Sequence, residues 1–334
     1  MSNDQYNRPV WNTLDQQQRR SLLEQLKPQL PEGFELDRIE TFSRYGATTE
    51  TGVFTYKGSE FVFVPGDTVT LGLQQWPDEE DEATWTELRS ILTDIGLPPE
   101  SADSLMDNQL SPVREAIIRP LLAERKVHSV SWEETSLDEL DPEEDQDIFE
   151  QIEVFKQAQY NSYELDQSYR LERDGDTIRV WLFYTTEDAA EWAEIELDSP
   201  FQVPTEDEWE YLNGGGVRTM FPWGNQWDYT MKLRYFEKDK AATASPDIER
   251  PYDLELANGF GLYFLGDPYQ VELTLSPDGQ TIDKGGDGGM SLCGGGGMLL
   301  GYLPVGIYYR SAYQDELDWT DRIGNMHYRR VIRL

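Results

Sequence analysis

The stretch from Gln202 to Gln226, Q-V-P-T-E-D-E-W-E-Y-L-N-G-G-G-V-R-T-M-F-P-W-G-N-Q, decides how the rest of the chain is read. Thr205 and Glu208 stand three apart just after Pro204, the spacing of a capping box in which each side chain accepts the other residue's free backbone N–H. A helix is therefore expected to start at Glu206, to bury Trp209 and Leu212, and to stop at Asn213-Gly214. The F-P-W-G-N run, Phe221 to Asn225, reads as a rigid turn. Proline fixes its own φ there, and glycine admits a left-handed conformation beside a large aromatic anchor.

In this order the two signals resemble the signatures of the formylglycine-generating-enzyme family, also called the sulfatase-modifying-factor family, whose fold is C-type-lectin-like. Further blocks are similar in the family order. Phe61 to Gly72 (F-V-F-V-P-G-D-T-V-T-L-G) resembles the opening strand pair, and Val113 to Ser131 the strand that introduces the second block. Asn258 to Tyr263 (N-G-F-G-L-Y) matches almost letter for letter, and Lys284 to Gly286, Arg310 to Tyr313 and Ile323 to Ile332 resemble the closing blocks. The resemblance implies an α+β fold, loop-rich, with a twisted antiparallel sheet. The expected organisation is an N-terminal helical extension over 1–32 and one family-like domain over 33–334, with insertions at about 76–110 and 136–168.

At 334 residues the chain can bury a full core. No apolar run approaches the ~20 residues of a membrane span, and the N-terminus is polar rather than signal-like. The single cysteine, Cys293, excludes an intramolecular disulfide and fits a reducing compartment, so the reading is of a cytoplasmic, bacterial protein without a membrane partner. Asp and Glu number 64 against 28 Lys and Arg, a net charge of -36 that argues against nucleic acid as a ligand. Solubility is the plain explanation of such an acidic surface. Cation binding, a basic protein partner, and nucleic-acid mimicry are the sharper ones.

Leu14, Leu22, Leu23, Leu26 and Leu30 lie near helical spacing before Pro31, so the extension reads as a helix that packs on the main domain or on a partner. Phe34 to Gln74 reads as a strand meander. Within the first insertion, Trp85, Leu88, Ile91, Leu92 and Ile95 recur as one helix face, with Gly96 as its cap. The second insertion carries an acidic run from Asp138 to Asp147, read as a solvated loop or a first helical turn. Arg179 to Tyr184 reads as a strand, and Thr185 to Glu194 as a short helix. Glycine takes nine of the seventeen positions from Gly285 to Gly301, and without a phosphate-loop spacing this is expected to be a flexible loop over a cleft.

Enzymes of the resembled family oxidise a substrate cysteine with copper held by two cysteines, three and eight residues before the arginine of their A-A-R-S motif. Aligned on Arg310, those positions hold Ile307 and Tyr302, neither of them a soft thiolate, so no copper is expected. Cys293 alone cannot supply a bis-thiolate centre; it reads as an inert thiol, with a catalytic role as the alternative. His128 and His327 are too few for a three-histidine iron centre. The family's structural calcium segment corresponds to Gly266 to Leu273, which makes Asp267 and Glu272 candidate calcium ligands through hard oxygens.

The expected function is that of a pseudoenzyme: a non-catalytic binding or accessory protein that recognises a peptide, protein or small-molecule ligand. Its ligand groove would lie between the F-P-W-G-N turn and the C-terminal block, lined by Trp223, Tyr302, Tyr308, Arg310 and Tyr313. Arg310 has a second reading, as a structural partner of an internal carboxylate. Two other functions stay open: a divergent metal-dependent oxidase or hydroxylase, and an acidic inhibitor or nucleic-acid mimic.

Overall fold

Alternation of burial along a few strands organises the chain. Phe61 and Phe63 face one core cluster, whereas Val62 and Val64 face another; the same split separates Leu122 from Leu121 and Ala123, and Ile332 from Val331. Successive side chains of a strand point to opposite faces, so a continuous apolar run such as F-V-F-V marks a strand covered on both sides. A computed structural model describes residues 3–76, 82–226, 256–276, 279–293, 297–311 and 317–334. It shows a mixed α+β chain with antiparallel sheets, divided into two compact units. The first comprises residues 1–128, 197–316 and 327–334, and the second residues 129–196 and 317–326.

The central sheet of the first unit runs β1 (Glu35–Arg44), β2 (Ala47–Tyr56), β3 (Ser59–Val64), β6 (Leu121–Glu124), β15 (Val331–Arg333), each pair antiparallel. Between β3 and β6 the chain makes the hairpin-like pair β4 (Asp67–Leu71) and β5 (Arg114–Ile118). The expected N-terminal extension becomes two helices, α1 (Arg8–Trp11) and α2 (Gln16–Glu24), the second started by an Asp15–Gln18 capping box. They cover one face of the sheet: Trp11, Leu23, Leu26 and Leu30 pack with Phe34, Phe54, Phe61 and Phe63. The described part of this segment, residues 3–32, thus packs into the unit's core. Expected insertion 76–110 holds α3 (Glu82–Asp94) and α4 (Ala102–Asp107). Gly96 ends α3 at φ +82, with Leu97 N–H bonded to Leu92 O, as its position in the sequence predicts.

The other face of the sheet is covered by α7 (Glu206–Gly214), whose Tyr211 and Leu212 join Val62, Val64, Ala123 and Val331. The predicted capping box is present, Thr205 Oγ1 accepting from Glu208 N and Glu208 accepting from Thr205 N. The helix ends one residue later than expected, because the left-handed position falls on Gly215 (φ +58). A side chain there would collide with Asn258, and Asn258 is the reason the cap is tight. Its Nδ2 donates to Leu212 O and Asn213 O while its Oδ1 accepts from Phe260 N and Leu262 N. The N-G-F-G-L-Y block is therefore the C-terminal cap of α7. Beyond it, β12 (Val271–Leu275) pairs antiparallel with β13 (Thr281–Lys284) and carries β14 (Met326–Tyr328) in the same sheet. Where a flexible glycine loop is expected, short helices form over Met290–Cys293 and Gly297–Tyr302.

In the second unit the antiparallel sheet runs β8 (Trp132–Thr135), β11 (Thr177–Phe183), β10 (Tyr169–Asp174), β9 (Ser162–Leu165). Helix α5 (Gln146–Gln157) lays Ile148, Ile152 and Phe155 on Tyr169, Leu171 and Val180. Helix α6 (Ala189–Glu196) starts four residues later than expected, where Asp188 caps Ala190 N and Glu191 N. The expected insertion at 136–168 is thus one part of a wider unit, closed by residues 317–326 through Ser131 Oγ to Ile323 O (2.9 Å) and Trp132 Nε1 to Gly324 O (3.2 Å). No helix among the described residues is long and apolar enough to cross a membrane.

The caps of α7 give a first prediction. Thr205→Ala removes one capping bond and costs about 1 kcal/mol. Asn258→Ala takes the side-chain partner from Asn213 O, Phe260 N and Leu262 N, while Leu212 O keeps Gly215 N, and costs more, about 1–3 kcal/mol beyond any packing loss. Urea midpoints of the two variants should fall in that order.

Candidate functional site

Helix α7 is acidic by sequence, yet Glu206, Glu208 and Glu210 are all buried. Burying a carboxylate is costly unless a cation and hydrogen bonds come with it, so each recruits a partner from a distant segment. Arg310 forks onto Glu206 through Nε (2.7 Å) and Nη2. Arg333 forks onto Glu208 at 2.6 Å through both nitrogens. Lys284, with no exposed side chain, sits 3.0 Å from Glu210 and 3.5 Å from Glu206 and donates to Tyr309 O. Arg114 bridges Glu210 (3.0 Å) and Asp207 (2.7 Å).

At Glu206 the pairs outweigh desolvation. Burial pushes the Glu206 carboxyl up, but Arg310, Lys284 and Arg114 together reverse this and hold it at about 2, against an ordinary 4.5. Glu124 behaves alike: burial is overcome by Arg330, which forks onto it at 2.7 Å, and by His128, and its value also falls to about 2.

From the same helix Trp209 Nε1 donates to Glu272 Oε2 (3.1 Å), and Arg329 Nη2 donates to Glu272 Oε1 (3.1 Å). Arg329, fully buried, also donates to Glu124 O, Arg125 O and Tyr263 O. Glu272 and Asp267 are the two residues of the expected calcium segment. Glu272 is turned inwards, both oxygens bonded to protein donors, and a cation would have to displace a guanidinium. Asp267 is buried and accepts Tyr269 N through Oδ1. Among the described residues, no group of three or more His, Cys, Asp or Glu side chains is disposed to hold a metal ion.

The residues expected to line one aromatic groove are dispersed. Tyr302 is fully buried in a cluster with Trp76, Leu88, Leu92, Phe221 and Leu299, because the helices of segment 76–110 pack over the F-P-W-G-N turn and the helix Gly297–Tyr302. Tyr308 is buried in a different cluster, with Tyr211 and Ile307 under the central sheet. Trp223 stacks flat on Phe221 (4.6 Å, 4°), and Arg310 pairs with Glu206. Tyr313 lies outside the described residues. Cys293 is exposed, its Sγ 3.4 Å from Tyr269 Oη.

What opens between the expected blocks is a narrow cleft of about 30 Å³, lined by Trp209, Pro222, Phe264, Glu272, Gly285 and Val305. It brings together α7, the F-P-W-G-N turn, the segment after N-G-F-G-L-Y and the K-G-G block. Trp209 and Phe264 meet edge to face at 5.6 Å, and Arg329 lies over Phe264 at 4.6 Å. At Gly285 (φ +83) a Cβ would sit 3.2 Å from the Trp209 ring, so glycine keeps this wall open. Such a space holds about two or three water molecules, so the cleft admits a small terminal group rather than a whole ligand. Trp209 was legible as a buried helix residue, and Pro222 as part of a turn; nothing in the sequence marked Phe264 or Val305. No protein-family model and no curated protein matches this chain.

The charge hub sets two expectations. Lys284→Met leaves Glu206 and Glu210 facing each other without their shared cation and should cost roughly 3–5 kcal/mol by urea unfolding. Because Glu206 and Glu124 titrate lower in the folded than in the unfolded chain, their stabilisation is complete above pH 4.5 and is lost as pH falls towards about 2. The wild-type curve of stability against pH should drop in that window, and Glu206→Gln should flatten it.

Proposed function

We propose that this chain is a non-catalytic binding protein built on a formylglycine-generating-enzyme-like, C-type-lectin-like fold, taking the tip of a peptide, protein or small-molecule ligand in the cleft beside Trp209. One observation carries the reading. Tyr302 and Ile307, at the positions where the resembled enzymes hold copper, are both fully buried in two separate core clusters, so those positions are filled with packing rather than arranged around a reacting atom. Fold alone does not fix function, and the sites of the fold are what differ here.

Supporting the fold reading, the blocks quoted from the sequence do structural work on one another. The capping-box helix is capped at its other end by Asn258 and neutralised by Lys284 and Arg310, which come from three further blocks in the family order. The cleft sits among the same blocks. Its walls are aromatic and aliphatic, and its one carboxylate, Glu272, is already neutralised by Arg329. Such a cleft suits a small, largely apolar group presented by a larger ligand lying outside it.

The test has two arms. A displayed random-peptide library and a metabolite panel are screened against the full chain by thermal shift and titration, and any binder is measured against Val305→Phe, which fills the cleft. At least tenfold weaker binding is expected with melting temperature retained; unchanged binding rejects the cleft. In the second arm the protein is incubated with copper(I) and a cysteine-containing peptide. Aldehyde formation that disappears in Cys293→Ser would overturn the non-catalytic reading in favour of an oxidase.

A further inference from the structure

The charge of the chain is unevenly placed. Residues 129–196 and 317–326, the second unit, hold 23 Asp and Glu against 5 Lys and Arg, a net charge of -18. That is half of the chain's -36 in 78 of its 334 residues. At least four of the unit's five cations are already engaged by neighbours, Lys156 of α5 by Glu153 among them. Arg170 and Arg179 alternate along β10 and β11 with the residues that pack on α5, so they lie on the opposite face of the sheet. There they pair with Glu172 and Glu134 and stack on Trp181. Arg173 is used at the C-terminal end of α5, donating to Phe155 O and Ala158 O.

The face carrying α5 is left strongly negative, and it has an apolar groove. Pro142, Gln146, Phe149, Glu150 and Glu153 line a depression of about 350 Å³, enough for one or two large side chains. Phe149 is only half-buried, while its neighbours Ile148 and Ile152 face the sheet. Val154, one position beyond Glu153, is 57 % exposed. The approach to the groove is held in shape by its own carboxylates: Asp141 accepts Glu143 N and Glu144 N, and Asp145 accepts Asp141 N. Glu143 and Glu144 themselves point to solvent.

We propose that this groove is a docking site for a basic polypeptide segment, one that seats an apolar side chain on Phe149 and Pro142 and sets lysines or arginines against Glu143, Glu144 and Glu150. Charge sign selects the occupant: a second copy of this chain, or a nucleic acid, would bring like charge to the rim, whereas a basic segment is both steered and held. The apolar floor adds what charge alone lacks, an anchor that fixes register. The site is independent of the cleft beside Trp209.

The experiment titrates the full chain into a fluorescein-labelled peptide of repeating Lys-Leu-Lys-Lys-Leu and follows anisotropy, with a second peptide in which every Leu is Ser. Saturable binding is expected for the first, at least tenfold weaker binding for the second, and a steep loss with added salt. Glu143→Gln with Glu150→Gln, two exposed changes that leave the core untouched, should weaken binding at least fivefold, and Phe149→Ala likewise if its melting curve is retained. Asp94→Asn with Glu100→Gln, an equal charge change in the first unit, should leave it unaltered. Equal weakening by both pairs, equal binding of the two peptides, or tight binding of a labelled RNA would overturn the proposal.

Discussion

Three glutamates buried in one short helix impose the constraint on which the first unit depends. Each of Glu206, Glu208 and Glu210 must be met by a cation, and none of those cations is local in sequence. Arg114 comes from β5, Lys284 from the end of β13, Arg310 from the loop beyond Tyr309, and Arg333 from β15. Together with Trp209, Glu272 and Arg329, they make α7 the element against which the later parts of the chain find their positions. Hydrophobic packing of Tyr211 and Leu212 under the sheet supplies affinity between layers, but apolar contact is non-directional. The paired charges supply direction, since a fork of Arg on carboxylate tolerates little rotation.

The start of α7 was legible because a capping box is a local device: two side chains, two backbone groups and a spacing of three. So were the strands F-V-F-V and V-W-L-F, and the Gly96 cap. The role of Asn258 was not, because its partners Leu212 and Asn213 lie about 45 residues away. The aromatic groove was misplaced for a related reason. Tyr302 and Tyr308 look alike as binding anchors in the sequence, and only the packing of α3 and α4 over the helix Gly297–Tyr302 decides that Tyr302 is core. What the sequence does not show for Glu272 is its partner: a buried arginine, 57 residues away, bonds to it. Arg310 pairs with Glu206, a partner 104 residues away.

The two units handle a similar total charge in opposite ways. In the first, the carboxylates of α7 and Glu124 are drawn inwards and matched. In the second, the same net charge is concentrated in fewer than a third as many residues, and the helix side of the sheet presents it outwards. Inward pairing gives a specific arrangement of segments; outward charge gives long-range attraction and solubility.

The second unit is built from two pieces of chain, and that discontinuity has a temporal meaning. Ser131 and Trp132 find their partners at Ile323 and Gly324, 192 residues further on. At a synthesis rate of ~5–20 residues per second, β8 waits roughly 10–40 s on the ribosome for the segment that completes its surroundings. During that interval Trp132 lacks a partner for its indole N–H, in a sheet whose sibling strands β9 to β11 are already made. Crowded or chaperone-poor conditions would therefore act on the nascent chain at this point before any property of the finished protein is expressed, and yield in expression becomes a matter of kinetics rather than of final stability.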